Sequence, residues 1–248
     1  MAKFLRTVRR FPTNKRFVFA AADFITGRAA RSVSERGRFL LVLAGGNTPR
    51  LLYEYLAKKE RVEAFPWAKT HVFWADERLT PRGGPAANAG MAERLLLSKV
   101  PIPEGNIHRP PVDAPSPEAA AKLWEEELAG FFGGFPVFDL VLLGVGSDGH
   151  TASLFPGHPA LGETKRWALP VSYPLANPPV DRVTLTLPVI NRARCVLFLC
   201  GREKEGIVRE IEKDRGTVES PFPAARVLPA GELYFFVSGE EMTQPGGF

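Results

Sequence analysis

Two residues that could move a proton, Asp148 and His150, stand two positions apart at the mouth of a glycine-rich stretch, Gly144-Val145-Gly146-Ser147-Asp148-Gly149-His150. Among these side chains only histidine both takes and gives a proton near neutral pH. Three glycines in so short a stretch permit positive φ and let the backbone approach a ligand closely. Thr151 and Ser153 follow, with hydroxyls that could cap a helix or bind a substrate.

A second constellation is Gly45-Gly46-Asn47-Thr48-Pro49. It follows the apolar run from Phe39 to Ala44 and opens a helix expected from Arg50 to about Arg61. Thr48 reads as the N-cap, with Pro49 as the first helical residue. A strand, a glycine-rich turn and a helix N-terminus together suit an anion, because unpaired N–H groups and the helix dipole converge on the turn. A tight turn with no ligand is the plainer explanation. A third constellation, Asp76-Glu77-Arg78, closes the apolar run from Thr70 to Ala75, where charges could also simply solvate a strand end.

These segments need elements to carry them. Phe138 to Leu143 reads as a strand buried on both faces, as in a parallel sheet. Residues 3 to 8 read as an edge strand and Phe17 to Arg36 as a helix ending before Gly37. Residues 79 to 88 form a Gly/Pro-rich loop long enough to cover a site. Helices follow at about 88 to 98 and 117 to 131. Strands are expected at Trp167 to Val171, Arg182 to Leu187, Arg194 to Cys200 and Leu233 to Val237. A helix is expected from Gly201 to Ile211, a short one near Pro221 to Val227, and a frayed tail from Thr243. Strands that alternate with helices imply a mostly parallel sheet with right-handed crossovers, and such sheets bind ligands outside the carboxyl ends of their strands. All three constellations directly follow a buried strand, so all three fall on that edge.

The 248 residues, 45% of them hydrophobic, suffice for a full core and are read as one α/β domain spanning 1–248. A net charge of +5 suits an anionic partner. The cations are scattered apart from Lys3, Arg6, Arg9 and Arg10, and no nucleic-acid-binding motif occurs, so no nucleic acid is expected. Cys195 and Cys200 lie five residues apart on one strand and should face opposite sides of it, which is a reduced, cytoplasmic pattern. No apolar run is long enough for a bilayer, and no secretion signal is read, so no membrane partner is expected. His71, His108, His150 and His158 lack metal-ligand spacing. No GxSxG nucleophile elbow exists, so Ser147 and Ser153 read as loop hydroxyls.

The chain resembles the 6-phosphogluconolactonases, within a larger set that includes glucosamine-6-phosphate deaminases and has a modified Rossmann-like fold. The resemblance rests on AGGNTP, WADER with Asn88, VPIPEGNIHR at 100–109, GVGSDGHTASLFPGH, RVTLTLPVINRA at 182–193 and GREK at 201–204. These span about residues 39 to 210, and the run from Gly144 to Gly157 is highly specific. The resemblance implies a mostly parallel sheet flanked by helices. It implies hydrolysis of 6-phospho-D-glucono-1,5-lactone to 6-phospho-D-gluconate in the oxidative pentose phosphate pathway, without metal or organic cofactor. The expected partner is a small anionic sugar-phosphate lactone, and the expected assembly a monomer or small homo-oligomer.

Two segments depart from the family pattern. Ala44-Gly45-Gly46-Asn47-Thr48 stands where Ser-Gly-Gly-Ser-Thr is commoner, and the C-terminal strand runs into Ser238-Gly239-Glu240-Glu241 in place of Asp and paired Ala. On this resemblance His150 is the general base for water attacking C1 and then the acid for the departing ring oxygen. Asp148 or Asp76 orients its ring, and Arg78 stabilises the oxyanion. Gly45, Gly46, Asn47, Thr48 and Lys204 hold the 6-phosphate, with Arg182 a weaker candidate. Taken alone, Arg182 and Lys204 would read as solvated surface charges. Two other functions compete. A deaminase or isomerase of the same set needs a carboxylate soon after the histidine, where this chain has Leu154-Phe155-Pro156. A non-catalytic sensor would need the phosphate loop but not His150.

Overall fold

The computed structural model describes residues 6–242, apart from 215, 216 and 218. Nine strands and seven helices follow in chain order among them. They are β1 (Arg6–Phe11), α1 (Asn14–Arg36), β2 (Phe39–Leu43), α2 (Thr48–Leu56), α3 (Lys59–Ala64), β3 (Thr70–Trp74), β4 (Asp76–Arg78), α4 (Asn88–Leu95), α5 (Pro117–Phe132), β5 (Leu140–Leu143), β6 (Ala168–Val171), β7 (Arg182–Leu185), α6 (Leu187–Asn191), β8 (Cys195–Cys200), α7 (Glu205–Lys213) and β9 (Glu232–Ser238).

Six strands form one sheet in the order β1-β9-β8-β5-β2-β3, and every neighbouring pair is parallel. The chain enters the sheet interior at β2, steps outward to β3, then returns to the other side of β2 at β5. The crossovers diverge at that point, so the loops after β2 and β5 open a crevice at the carboxyl ends of adjacent strands.

Strand periodicity sends alternate side chains to opposite cores. In β5, Val141 and Leu143 join a core that holds Trp124 and Leu128 of α5, whereas Leu140 and Leu142 join one that holds Phe17, Val18 and Ile25 of α1. Cys195 and Cys200 divide in the same way, one to each core, and burial pushes the Cys195 thiol up to about 12 and Cys200 higher still. Both thiols are inert where they stand. The long α1 is well delimited: the Thr13 hydroxyl accepts from the Arg16 N–H, and Gly37 closes the helix in the left-handed conformation at φ 74°.

The structure corrects the sequence reading in several places. The segments at 76–78, 168–171 and 182–185 do not join the parallel sheet. They form a separate antiparallel sheet in the order β4-β7-β6. Ala75 joins the two sheets, donating its N–H to Leu43 O and accepting from Leu185 N. The helix after the second strand begins at Thr48 rather than capping on it. Asn47 occupies the cap position with helical φ and ψ and no side-chain cap bond, and the expected single helix to residue 61 divides into α2 and α3. The first strand runs over residues 6–11 rather than 3–8, of which 3–5 lie outside the described residues, as does the tail from Thr243. Among the described residues, no helix is long and apolar enough to cross a membrane.

Candidate active site

The loop after β5 is shaped by a short hydrogen-bonded turn: Gly146 N–H donates to His150 O at 2.8 Å and Gly149 N–H to Gly146 O at 3.0 Å. Two of its three glycines answer to different constraints. Gly149 takes a positive φ of 82°. Gly146 does not, but a Cβ there would sit 2.1 Å from His150 Nδ1 and 2.6 Å from Asp148 Oδ1. Its hydrogen atom therefore makes room for the contact the turn creates, in which Asp148 Oδ1 lies 2.6 Å from His150 Nδ1. The same oxygen accepts the His150 backbone N–H at 3.0 Å.

Asp148 is partly exposed. Burial raises its carboxyl, but the His150 N–H and the facing imidazole outweigh this and hold it below the usual carboxylate range. An ionised partner at Nδ1 places the imidazole proton there and leaves Nε2 as the basic nitrogen. No protein group among the described residues hydrogen-bonds to Nε2. The ring packs against Phe155, which stacks in turn on Tyr173 at 4.3 Å.

Asp76, the other carboxylate considered for orienting His150, is turned to different partners. It is buried at 7% exposure, accepts the Ser153 hydroxyl at 2.6 Å and the Asn88 amide at 3.2 Å, and faces Arg182 Nη1 at 3.9 Å. The carboxylate that reaches the imidazole is Asp148. Ser153, expected as a loop hydroxyl, ties the loop after β5 to β4. Thr151 ties it back to β5 by donating to Gly144 O at 2.9 Å.

The three residues of β4 divide by strand alternation. Asp76 and Arg78 line the cleft, while Glu77 points the other way and is fully buried. Glu77 accepts the N–H groups of Arg78, Asn88 and Ala89 at 2.6–2.7 Å, and so caps α4 from a distant strand. Burial pushes its carboxyl up to about 7, with these three donors pulling the other way. The charged triplet is therefore neither solvated nor a strand end. Arg78 donates to Ala86 O at 2.6 Å, which fixes the loop over the site, and its Nε has no hydrogen-bond partner among the described residues.

Arg182 is no surface charge. It is 3% exposed, donates to the Asn177 and Pro178 carbonyls, and keeps a buried Nε without a hydrogen-bond partner among the described residues. Burial lowers its pKa, partly offset by Asp76. Lys204 sits at the N-terminal end of α7, half-buried, with no side-chain partner among the described residues. The Asn47 and Thr48 side chains at the start of α2 are likewise without hydrogen-bond partners among those residues.

One cleft of about 570 Å³ is lined by all ten residues singled out from the sequence: Gly45, Gly46, Asn47, Thr48, Asp76, Arg78, Asp148, His150, Arg182 and Lys204. Residues not anticipated as part of it are Phe155, Glu203 and the segment Leu175-Ala176-Asn177 from the β6–β7 loop. Leu175, 82% exposed, stands at the rim. Asn88 was visible only as part of a longer motif. Its side chain fills the space where a Gly45 Cβ would lie, 1.9 Å from Asn88 Oδ1, so Gly45 is required by a close approach and not by its φ. Nothing in the local pattern of residues 172–180 marks them as cleft-lining, since they reach the site through the antiparallel sheet.

The family model for glucosamine-6-phosphate isomerases/6-phosphogluconolactonase matches residues 12–235. The chain belongs to this family. It is 44% identical over 218 residues to a 6-phosphogluconolactonase of Synechocystis sp., covering 86% of this chain and 87% of that protein. It is 37% identical to the chloroplastic 6-phosphogluconolactonase 3 of Arabidopsis thaliana, over 94% of this chain and 73% of that one. Among solved structures, the 6-phosphogluconolactonase of Thermotoga maritima superposes with a TM-score of 0.82 at 32% identity, over 94% of this chain and all of that one. The six-stranded parallel sheet with flanking helices is thus the fold of these enzymes.

Proposed function

We propose that this single-domain protein hydrolyses 6-phospho-D-glucono-1,5-lactone to 6-phospho-D-gluconate in the oxidative pentose phosphate pathway. The observation that carries this reading is the Asp148–His150 pair, with a free Nε2, on the same cleft as an uncommitted helix N-terminus and Lys204.

A δ-lactone is an activated ester and needs no strong nucleophile. His150 Nε2 takes a proton from water as its oxygen bonds to C1. Negative charge gathers on the carbonyl oxygen, where the Arg78 guanidinium stabilises it. The carbonyl re-forms as the bond from C1 to the ring oxygen breaks, and the proton on Nε2 passes to that oxygen. Asp148 holds the ring through Nδ1 and stabilises the transient imidazolium. Gly45 to Thr48 at the start of α2, with Lys204, bind the 6-phosphate through N–H groups, side chains and charge. Arg182, held by two carbonyls and facing Asp76, lines the same cleft and adds a second, weaker positive charge for the phosphate. No step calls for a metal or organic cofactor, so turnover should survive exhaustive chelation by EDTA. A loss that zinc or magnesium restored would overturn the cofactor-free mechanism.

The stretch after His150 supports a lactonase over a ring-opening deaminase. Leu154 and Phe155 are buried apolar residues and supply no second carboxylate there. The protein is read as cytoplasmic, a monomer or small homo-oligomer, with neither nucleic acid nor membrane as partner. The deciding experiment is a coupled assay on freshly prepared 6-phosphogluconolactone, with the spontaneous rate subtracted. Product should form well above that rate. Tight binding without turnover would make the protein a sensor, and release of ammonia from glucosamine 6-phosphate would make it a deaminase.

A further inference from the structure

The opposite end of the parallel sheet carries a second concavity of about 520 Å³. It lies at the amino ends of the strands: Asp139 directly precedes β5, Arg194 directly precedes β8 and Glu232 opens β9. The remaining wall comes from the second half of α1, through Arg28, Arg31, Glu35 and Arg36, and from Arg192. Its volume is in the range of small-molecule pockets, roughly 300–1,000 Å³.

The charges here do not balance, since five guanidiniums meet three carboxylates. Arg28 and Glu232 form a bidentate pair at 2.6 and 2.7 Å. Glu35 is shared by Arg31 and Arg36, and Asp139 Oδ1 accepts from Arg36 Nε at 3.0 Å. Asp139 is 6% exposed, and its other oxygen holds the Leu40 N–H at 2.9 Å, so it cannot turn to neutralise a further cation. Arg192 and Arg194 are the surplus. Arg192 lies over the Phe135 ring at 5.3 Å and has no acidic partner among the described residues. Arg194 makes only a 3.4 Å approach to the already engaged Asp139 Oδ1. Both are exposed and leave most of their N–H groups to solvent. A basic residue in the last turn of α1 complements that helix's carbonyl end, which accounts for Arg36. It does not account for Arg194, which lies three residues beyond α6.

We propose that this basin is a second binding site, for a small anion carrying two or more phosphate charges. Two planar guanidiniums that line one concavity with uncommitted donors can each meet phosphate oxygens bidentately, and a concave site bounded by α1 favours a compact ligand over a flat polymer. The site lies at the other end of the sheet from the cleft and does not depend on the roles assigned there.

The test is calorimetric titration of the full chain with tripolyphosphate at low salt, with and without saturating 6-phosphogluconate to fill the cleft. One equivalent should still bind with 6-phosphogluconate present. It should weaken at least about tenfold in R192A/R194A and, by screening, between roughly 50 and 200 mM salt. R192K/R194K, which keeps the charge and loses the fork, should fall between wild type and the alanine variant. Two equivalents surviving 6-phosphogluconate would still support the basin while counting against the phosphate role given to the cleft. No heat once the cleft is filled, or an equivalent that both double variants bind as tightly as wild type, would overturn the proposal.

Discussion

Among the described residues there are two histidine–carboxylate pairs, and only one of them lies on the cleft. His108 Nδ1 contacts Glu127 Oε1 at 2.8 Å, much as His150 Nδ1 contacts Asp148 at 2.6 Å. The difference is at the second nitrogen. His108 Nε2 is taken by His71 Nδ1 at 3.2 Å, and the His108 ring lies flat on Phe73 at 4.3 Å and edge-on to Phe131. Both of its nitrogens are committed and its faces are packed. His150 keeps Nε2 uncommitted among the described residues, on a cleft whose other walls carry Arg78, Arg182 and a Lys204 side chain with no partner among those residues. A carboxylate beside an imidazole is thus a common way to satisfy a polar ring. What makes one such pair fit for catalysis is the free nitrogen and the space in front of it.

The comparison breaks most sharply at His150. His150→Ala should lower kcat by about 10²–10⁴-fold, the usual share of general base catalysis, and leave phosphate affinity intact. Gly146→Ala should fall in the same range without removing a polar group, because its Cβ would overlap Nδ1 and force the Asp148 contact apart. A Gly146→Ala enzyme with wild-type kcat would show that Asp148 need not touch the ring.

Lys204→Ala should act on binding. A charge-assisted bond is worth roughly 1.5–3 kcal/mol, so KM for the phosphorylated lactone should rise roughly 10- to 150-fold. The weak rate on unphosphorylated gluconolactone should stay level. Equal losses on both substrates would remove Lys204 from the phosphate site.

The cluster around His108, which includes His71, should show itself in acid stability and not in rate. Burial, with the nearby His108 and Arg38, pushes the His71 imidazole down to about 4. Its folded pKa lies below the ordinary histidine value of about 6.5. The unfolded chain therefore binds the proton first, and the stabilisation present above about pH 6.5 drains away as pH falls towards 4. His71→Phe should flatten the fall in Tm over that window, and an unchanged slope would assign the acid sensitivity elsewhere. The smallest effect belongs to Glu127→Gln. Glu127 is half exposed, so its loss should cost under about 1 kcal/mol and leave kcat unchanged; a large kinetic defect would erase the distinction between the two pairs.

Much of this site is written in short stretches of the chain. Gly144 to His150 places donor, acceptor and turn within seven residues, and its hydrogen bonds are nearly all local, so residue types and spacing suffice to find it. The same holds for Gly45 to Thr48, where a buried strand meets a proline-started helix. The β-branched and aliphatic runs announce the parallel sheet, because a strand buried on both faces has no polar alternation to disguise it.

What the chain could not reveal locally depends on residues far apart in sequence. The separate sheet of β4, β6 and β7 was missed because its strands are only three or four residues long, and pairing of 76–78 with 182–184 is a non-local choice. That pairing buries Arg182, turns Asp76 towards Ser153 and away from His150, and brings Leu175 to the rim. Glu77 looks like one more surface charge until α4 presents its first N–H groups to it across eleven residues. The sequence alone determined which groups could do the chemistry and which strand ends would carry them. Tertiary packing decided which carboxylate meets the imidazole, which arginine is buried and which histidine keeps a nitrogen free, because each is settled by what a distant segment places against it.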